Sequence, residues 1–221
     1  MTNPWNNRTD TLRRRASFWA HSGAFGRKGL LSLVVGLMAA IGAHTVLAER
    51  YLTIPEVQSL SFPKADRFEP LDLPATPEQT EAIEKRSSAK VPKRPYRMWL
   101  ARQGMRLVGV VIADQVLSKH DLVDYAVAVS PAGRVLQVEI LEYREKYGGE
   151  ISSPKWRAQF IGKTSASTLK LNEDIYNISG ATISCRHVTE GIKRVLAMYQ
   201  LVVLPRLRAA GELPDDNTKP K

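Results

Sequence analysis

The most informative segment of this chain is Asp174-Ile175-Tyr176-Asn177-Ile178-Ser179-Gly180-Ala181-Thr182-Ile183-Ser184. Glycine at position 180 frees the backbone and alanine at 181 keeps the neighbouring side chain small, so we expect the Thr182 hydroxyl on an open, narrow turn. Apolar residues then recur at positions 188, 192, 195, 196 and 199, which is the spacing of one helix face. The sequence therefore predicts an amphipathic helix over residues 183–200, with Thr182 and Ser184 as candidate caps.

The tetrapeptide 179–182 resembles the flavin-attachment motif of the FMN-binding domain found in the Rnf complex G subunit and in the C subunit of the sodium-pumping NADH:quinone oxidoreductase. Residues 142–150, which contain two adjacent glycines, and residues 156–163, which contain two aromatic residues, are similar to that family's core in order and spacing. The resemblance covers residues 105–200. It implies that FMN is joined to Thr182 through a phosphoester bond, made by a separate flavin transferase of the ApbE type.

The same resemblance implies roles for the residues around Thr182. Gly180 and Ala181 shape the turn, and Ser179 and Ser184 hydrogen-bond the phosphate. The N–H groups of Ile183 and Ser184 face that phosphate, because a helix start offers unpaired donors and the positive end of the helix dipole. The alternative is that Ser-Gly-Ala-Thr is an ordinary helix cap with no ligand.

One position departs from the family pattern. The family usually has aspartate six residues before the attachment threonine, and this chain has Tyr176 there. Asp174 is the nearest carboxylate. If the transferase needs a carboxylate, we expect Asp174 to substitute, so that Asp174→Asn lowers flavin incorporation.

An apolar run of residues 29–48 has no formal charge and is long enough to span a bilayer as a helix. Basic residues precede it, among them those at positions 13, 14, 15, 27 and 28. By the positive-inside rule the N-terminus is cytoplasmic and the chain after residue 48 is extracytoplasmic. This predicts a single-pass protein of the bacterial cytoplasmic (inner) membrane. The alternative is a cleaved signal peptide ending near Ala48.

The predicted organisation is a basic cytoplasmic N-terminus (1–28), a transmembrane anchor (29–48), a Pro-rich charged linker (49–95), an FMN-binding domain (96–205) and a disordered tail (206–221). The linker is expected to hold one short helix, 77–85. Within the domain we predict short helices at 96–103 and 153–161 and strands at 106–112, 122–130 and 135–142. The predicted class is α+β, a small antiparallel sheet packed by helices.

Charge and cysteine content narrow the range of partners and sites that this chain can have. The formal net charge is +10, but residues after 48 hold 26 basic and 21 acidic residues, so nucleic acid is not an expected partner. A basic cluster between residues 85 and 106 is typical of a solvated face, with binding to an acidic partner or to lipid as the alternative. The single cysteine, Cys185, excludes an intramolecular disulfide and any multi-cysteine metal site.

No catalytic or metal-ligating constellation emerges from the sequence. Cys185 and His187 are two residues apart and point to different sides of a helix, so they do not form a nucleophile–base pair. Trp156 and Phe160 have helical i, i+4 spacing, which favours a place in the core, with flavin stacking as the alternative.

The sequence thus predicts a membrane-anchored flavoprotein that relays electrons between membrane redox proteins, as a component of a redox complex rather than a stand-alone enzyme. The rival class is a non-redox, membrane-tethered interaction module. A third alternative is FMN held without a covalent bond.

Overall fold

A computed structural model describes residues 49–213. The predicted anchor, 29–48, and the end of the predicted tail, 214–221, lie outside this range. Within residues 49–213, no helix is both long enough and apolar enough to cross a membrane.

The centre of the fold is one antiparallel sheet. In chain order its strands are β1 (Glu49–Arg50), β2 (Arg67–Leu71), β3 (Arg97–Gln103), β4 (Arg106–Leu117), β5 (Leu122–Val129) and β6 (Val135–Tyr143), and in space they lie in the order β1-β6-β5-β4-β3-β2. Short turns join β3 through β6, as expected for antiparallel neighbours. The predicted α+β class, an antiparallel sheet packed by helices, is confirmed.

Helices pack on both faces of this sheet. The helices of the described residues are α1 (Ile54–Ser61), α2 (Pro77–Ser87), α3 (Pro154–Arg157), α4 (Thr182–Met198) and α5 (Leu204–Ala209). The helix predicted to follow the turn is α4, which continues through a π-helical segment, Tyr199–Val203, into α5. Its apolar face, with Val188, Ile192 and Val195, is buried with the β4 and β5 valines and isoleucines in the main core.

The other sheet face is covered by α1. Val57 of this helix and Phe62 just after it are buried against Ala101, Val111 and Ala128. Small side chains let the helix approach closely, and a Cβ added at Gly109 would overlap the Phe62 ring. Both faces of the central strands are therefore covered, which explains why β4 and β5 are apolar at nearly every position.

Three sequence-based expectations are wrong. Residues 49–95 are not a linker with a single helix, because they contain β1, α1 and β2 besides the predicted helix, which is α2. Within the helix predicted at 96–103, Arg97–Gln103 form strand β3 instead, because pairing with both β2 and β4 overrides the local helix propensity. The tail does not begin at 206, since α5 runs to Ala209 and Glu212 accepts two hydrogen bonds from Arg102, at 2.6 and 2.8 Å.

The sheet has two distinct ends. The Thr182 end comprises the start of β3 at Arg97, the β4–β5 turn at 117–122, the end of β6 at Tyr143 and the start of α4. The opposite end comprises the β3–β4 turn at 103–106 and the β5–β6 turn at 129–135.

Candidate functional site

The turn before α4 has the open form that its sequence predicts. Gly180 adopts a positive φ of +86°, and a Cβ added there would meet nothing within 4 Å. Ser179 and Gly180 are exposed, whereas Ala181 is buried. The Ala181 N–H donates to the Ile178 carbonyl at 3.0 Å and closes the turn. A positive φ is the conformation that glycine adopts most readily, so Gly180 is well suited to this position.

The start of α4 differs in one respect from the expectation. The N-cap residue is Ala181, and no side chain caps the helix, so neither Thr182 nor Ser184 is a cap. The first bond of the helix runs from the Cys185 N–H to the Ala181 carbonyl at 2.9 Å. The N–H groups of Thr182, Ile183 and Ser184 therefore have no acceptor within the helix, and they lie at the positive end of its dipole. This is a favourable place for an anion.

Ser184 is turned into the protein. Its hydroxyl is buried and hydrogen-bonded to the Ser118 hydroxyl at 2.7 Å and the Tyr143 hydroxyl at 3.0 Å. Tyr143 donates in turn to the Tyr147 carbonyl at 2.5 Å, and burial raises the pKa of its phenol. The Ser184 hydroxyl thus joins α4 to the β4–β5 turn and to β6. Only its backbone N–H is left to bind an anion.

Asn177 is a site residue that the sequence did not single out. Its side-chain amide donates to the Thr182 hydroxyl oxygen at 2.8 Å. Its other amide atom, Oδ1, is buried and has no hydrogen-bond partner among the described residues. The signal was its place in a tight turn five residues before Thr182, where a short amide side chain reaches a helix start. Asn177 therefore orients the Thr182 hydroxyl and keeps a free acceptor beside it.

A cavity of about 550 Å³ adjoins the turn, within the size range of small-molecule sites. It is lined by Ser153, Lys155, Trp156, Gln159, Tyr176, Asn177 and Ile178. Tyr176, which is 78% exposed, stands at its rim. The cavity therefore opens to solvent beside the turn that carries Thr182.

Trp156 forms one wall of this cavity. It is 3% exposed, and its ring packs edge-on against the buried ring of Phe160, with 5.1 Å between the ring centroids. Its Nε1 atom donates to the Tyr176 carbonyl at 2.9 Å. The contact between Trp156 and Phe160 thus belongs to the core, as their spacing favours, while the tryptophan also reaches the cavity.

Asp174 is committed to a neighbouring loop. Its carboxylate accepts from the N–H groups of Leu169 and Lys170, at 3.1 and 2.8 Å, and from the Lys163 ammonium at 2.9 Å. Burial by itself would raise the pKa of Asp174, but these bonds hold it below its usual value. The carboxylate is therefore engaged in holding residues 163–175 together. The sequence had suggested a different role, in which Asp174 takes the place of the aspartate that the family has at position 176.

Cys185 and His187 contact different parts of the protein. Cys185 is buried in the main core, where burial raises the pKa of its thiol. The His187 ring nitrogen Nδ1 lies 2.5 Å from the Leu117 carbonyl oxygen. Both residues therefore fix the first turns of α4 against the sheet.

Comparison with known proteins connects this geometry to a cofactor. Residues 119–197 match the profile of a family described as the FMN-binding domain. This part of the chain is similar to that family. The matched residues include β5, β6, the cavity and the turn with Thr182, and the cofactor of such a domain is FMN.

One curated protein and one solved structure are similar to a larger part of the chain. The G subunit of the Na(+)-translocating ferredoxin:NAD(+) oxidoreductase complex of Acetobacterium woodii is 22% identical over 191 residues, which cover 77% of this chain and 90% of that protein. The crystal structure of NqrC from Shewanella oneidensis is 16% identical, with a TM-score of 0.48, and the match covers 67% of this chain and 86% of that one.

The residues of the site fit FMN. The phosphate of FMN is an anion, and the start of α4 offers unpaired N–H groups to an anion. The unpartnered Oδ1 of Asn177 is an acceptor, and FMN carries hydroxyl and ring N–H donors. Gly180 leaves open space in front of the turn, and the cavity beside it is large enough for a small molecule.

Proposed function

We propose that this protein is a membrane-anchored, extracytoplasmic flavoprotein that carries FMN in a phosphoester bond to Thr182 and relays electrons between membrane redox partners. The main support for the proposal is the setting of Thr182. Its half-buried side chain has its hydroxyl held by Asn177 at 2.8 Å, on the first residue of a helix and behind an open glycine.

Each residue of the turn has a distinct part in holding the flavin. Thr182 supplies the oxygen that becomes bonded to the phosphorus of a flavin phosphoanhydride donor. The anhydride phosphorus–oxygen bond breaks, the other phosphate of the donor leaves as a phosphate monoester, and the hydroxyl proton is released to water. The N–H groups of Ile183 and Ser184 face the phosphate, and exposed Ser179 adds a hydroxyl. The bound flavin supplies the redox chemistry, and the protein supplies position and electrostatics.

Membrane attachment and partners rest on two supports. The apolar run of residues 29–48 follows a basic N-terminus, which favours a single-pass anchor with the domain outside the cytoplasm. The Acetobacterium woodii relative is named as a subunit of an oxidoreductase complex. We infer that an ApbE-type transferase attaches the flavin and that membrane redox proteins are the electron donor and acceptor.

The rival function, a non-redox interaction module, loses part of its support. It explained Ser-Gly-Ala-Thr as a helix cap, and in the structure no side chain of this motif caps α4. Experiment can distinguish non-covalent from covalent FMN, because a protein that holds FMN without a covalent bond loses its yellow colour on denaturation.

The decisive experiment is mass spectrometry of the protein co-expressed with its flavin transferase. We expect yellow fluorescence to persist through denaturing electrophoresis, and the peptide with Thr182 to gain the mass of FMN less one water. Thr182→Ala should abolish both, while Thr182→Ser retains some flavin because a hydroxyl oxygen is still present.

Thr168→Ala is the matched control, since it is the same substitution at an exposed threonine outside the turn and the cavity. It should keep the covalent flavin. A wild-type peptide of unmodified mass, with the transferase shown to be active on another substrate, would contradict the covalent proposal.

A further inference from the structure

The chain enters the described domain at the Thr182 end. Glu49, the residue after the predicted anchor, pairs with Tyr143 in the sheet. The Tyr143 hydroxyl lies 3.0 Å from the Ser184 hydroxyl in the first turn of α4. The junction with the apolar run and the flavin turn are therefore at the same end of the sheet.

Exposed cations surround this end of the domain. They come from the segment before β3, the start of β3, the β4–β5 turn, the loop after β6 and the first turn of α4. These residues are Lys93, Arg94, Arg97, Lys119, Lys146 and Arg186.

Several carboxylates at the same end are already ion-paired or hydrogen-bonded within the protein. Those of Asp124 and Glu142 are partly buried and lie 2.8 and 2.7 Å from the Arg144 guanidinium. Glu145 accepts hydrogen bonds from two N–H groups of the β4–β5 turn. Among the described side chains, the exposed carboxylates at this end are those of residues 56, 72, 121 and 150, which are fewer than the six exposed cations.

Exposed apolar side chains lie among these cations. Leu117 and Leu122 flank the β4–β5 turn, Ile183 follows the flavin threonine, and Tyr147 lies on the loop after β6. Basic residues combined with exposed apolar and aromatic side chains are typical of surfaces that lie in a membrane interface.

We propose that the Thr182 end of the domain docks on the anionic headgroups of the bilayer that holds the anchor. This inference rests on the anchor of the proposed function. Because the domain joins the anchor directly at Glu49, the tether keeps this end at a high effective concentration near the lipid surface. A soluble acidic protein would gain nothing from that tether, so the connectivity favours lipid.

Docking in this orientation has a consequence for the flavin. The eight residues of β5 span about 26 Å at roughly 3.3 Å per residue, so the two ends of the sheet are far apart. Docking through the Thr182 end places the flavin turn at the membrane surface, where a membrane-embedded partner is within reach.

The test compares two fluorescent labels on the full-length protein in vesicles that contain a nitroxide-headgroup lipid as quencher. One label is placed at Leu117→Cys, and the other at Met105→Cys on the opposite end; these positions are 57% and 87% exposed. Cys185 is buried and does not compete for the label. In vesicles rich in phosphatidylglycerol we expect at least about twofold stronger quenching at position 117 than at position 105.

Charge reversal tests the cause. Lys93→Glu with Arg97→Glu should bring the quenching ratio toward one, as should vesicles of phosphatidylcholine alone or high salt. Arg106→Glu with Arg134→Glu is the matched control, with the same charge change on exposed residues at the opposite end, and should leave the ratio unchanged.

A ratio near one for the wild type in anionic vesicles would overturn the proposal. Crosslinking of added polyglutamate to Lys93 or Lys119 in that case would assign the surface to an acidic protein. Failure of the proposed function can be distinguished from failure of this inference. Vesicle flotation tests for the anchor and visible absorbance tests for the flavin, and neither measurement depends on the quenching ratio.

Discussion

At the scale of single residues, Asn177 and Thr182 form the central contact of the site. The Asn177 amide holds the Thr182 hydroxyl, and its second polar atom has no partner in the described part of the chain. A buried acceptor without a partner is unfavourable unless a ligand completes it. Asn177 therefore has two roles, one toward the threonine and one toward the cofactor.

We expect Asn177→Ala to slow flavin incorporation. A hydrogen bond of this kind contributes about 0.5–1.5 kcal/mol, which corresponds to roughly a two- to tenfold lower rate. The measurement is the initial rate of covalent labelling by purified transferase, with the melting temperature recorded on the same samples. An unchanged rate in a folded variant would remove Asn177 from the site.

Asp174→Asn should destabilise the loop of residues 163–175 in a pH-dependent way. The folded-state pKa of Asp174 is below its ordinary value of 3.8, so its stabilising contribution is present above that pH and is lost as the pH falls through the folded-state pKa. The stability difference between wild type and variant should therefore shrink on acidification below about pH 4.

Chemical denaturation across this pH range measures that difference. Glu173→Gln, a neighbouring exposed carboxylate paired with Lys170, is the control and should have a small effect at every pH. A difference for Asp174→Asn that stays constant with pH would contradict the assigned role.

At the scale of elements, α1 completes the fold by covering the second face of the sheet. It begins at Ile54 after Thr53, whose hydroxyl donates to Glu56 at 2.7 Å. Its inward residue Val57 is 1% exposed, whereas Leu60 on the same helix is 54% exposed. The helix is therefore amphipathic and contributes stability mainly through one buried face.

Val57→Ala should lower the free energy of unfolding by about 1–3 kcal/mol, because two buried methyl groups are lost and a cavity remains. Leu60→Ala should change it by less than about 0.5 kcal/mol, because surface substitutions have small effects. Denaturant unfolding of both variants checks this pair. Equal effects would mean that α1 does not pack as described.

At the scale of the whole molecule, a buried polar network joins distant parts of the chain. The Arg194 guanidinium on α4 lies 2.5 Å from the Asp114 carboxylate and donates to the Lys90 carbonyl at 2.7 Å. Tyr125 donates to the same carboxylate at 2.7 Å. The segment before β3 is thereby fixed to the core, and the folded unit extends well before residue 96.

A fragment of residues 96–221 should therefore fail to fold, while residues 49–221 should fold. The shorter fragment lacks α1 and α2 and exposes the core around Ile83 and Val57. Thermal unfolding followed by circular dichroism distinguishes them, with a cooperative transition expected for the longer fragment alone. A cooperative transition in the shorter one would restore the predicted domain boundary.

The local features of this protein follow from its amino-acid sequence alone. The apolar spacing after Thr182 predicted α4, and the alternation of Val123, Tyr125, Val127 and Val129 with Asp124 and two alanines predicted β5, because these patterns depend on neighbours in the chain. Gly180 and Thr182 likewise marked the turn, since a flexible residue before a helix start is a local signal.

The remaining features depend on tertiary contacts. β3 is a strand because β2 and β4 pair with it on either side, and α1 belongs to the domain because its apolar face meets small residues from three strands. Asn177 contacts Thr182, and the Ser184 hydroxyl contacts Ser118 inside the protein. Both contacts depend on how the turn packs against the rest of the domain. Such contacts link residues far apart in the chain, and their free energy exceeds the small local propensities that a sequence pattern reports.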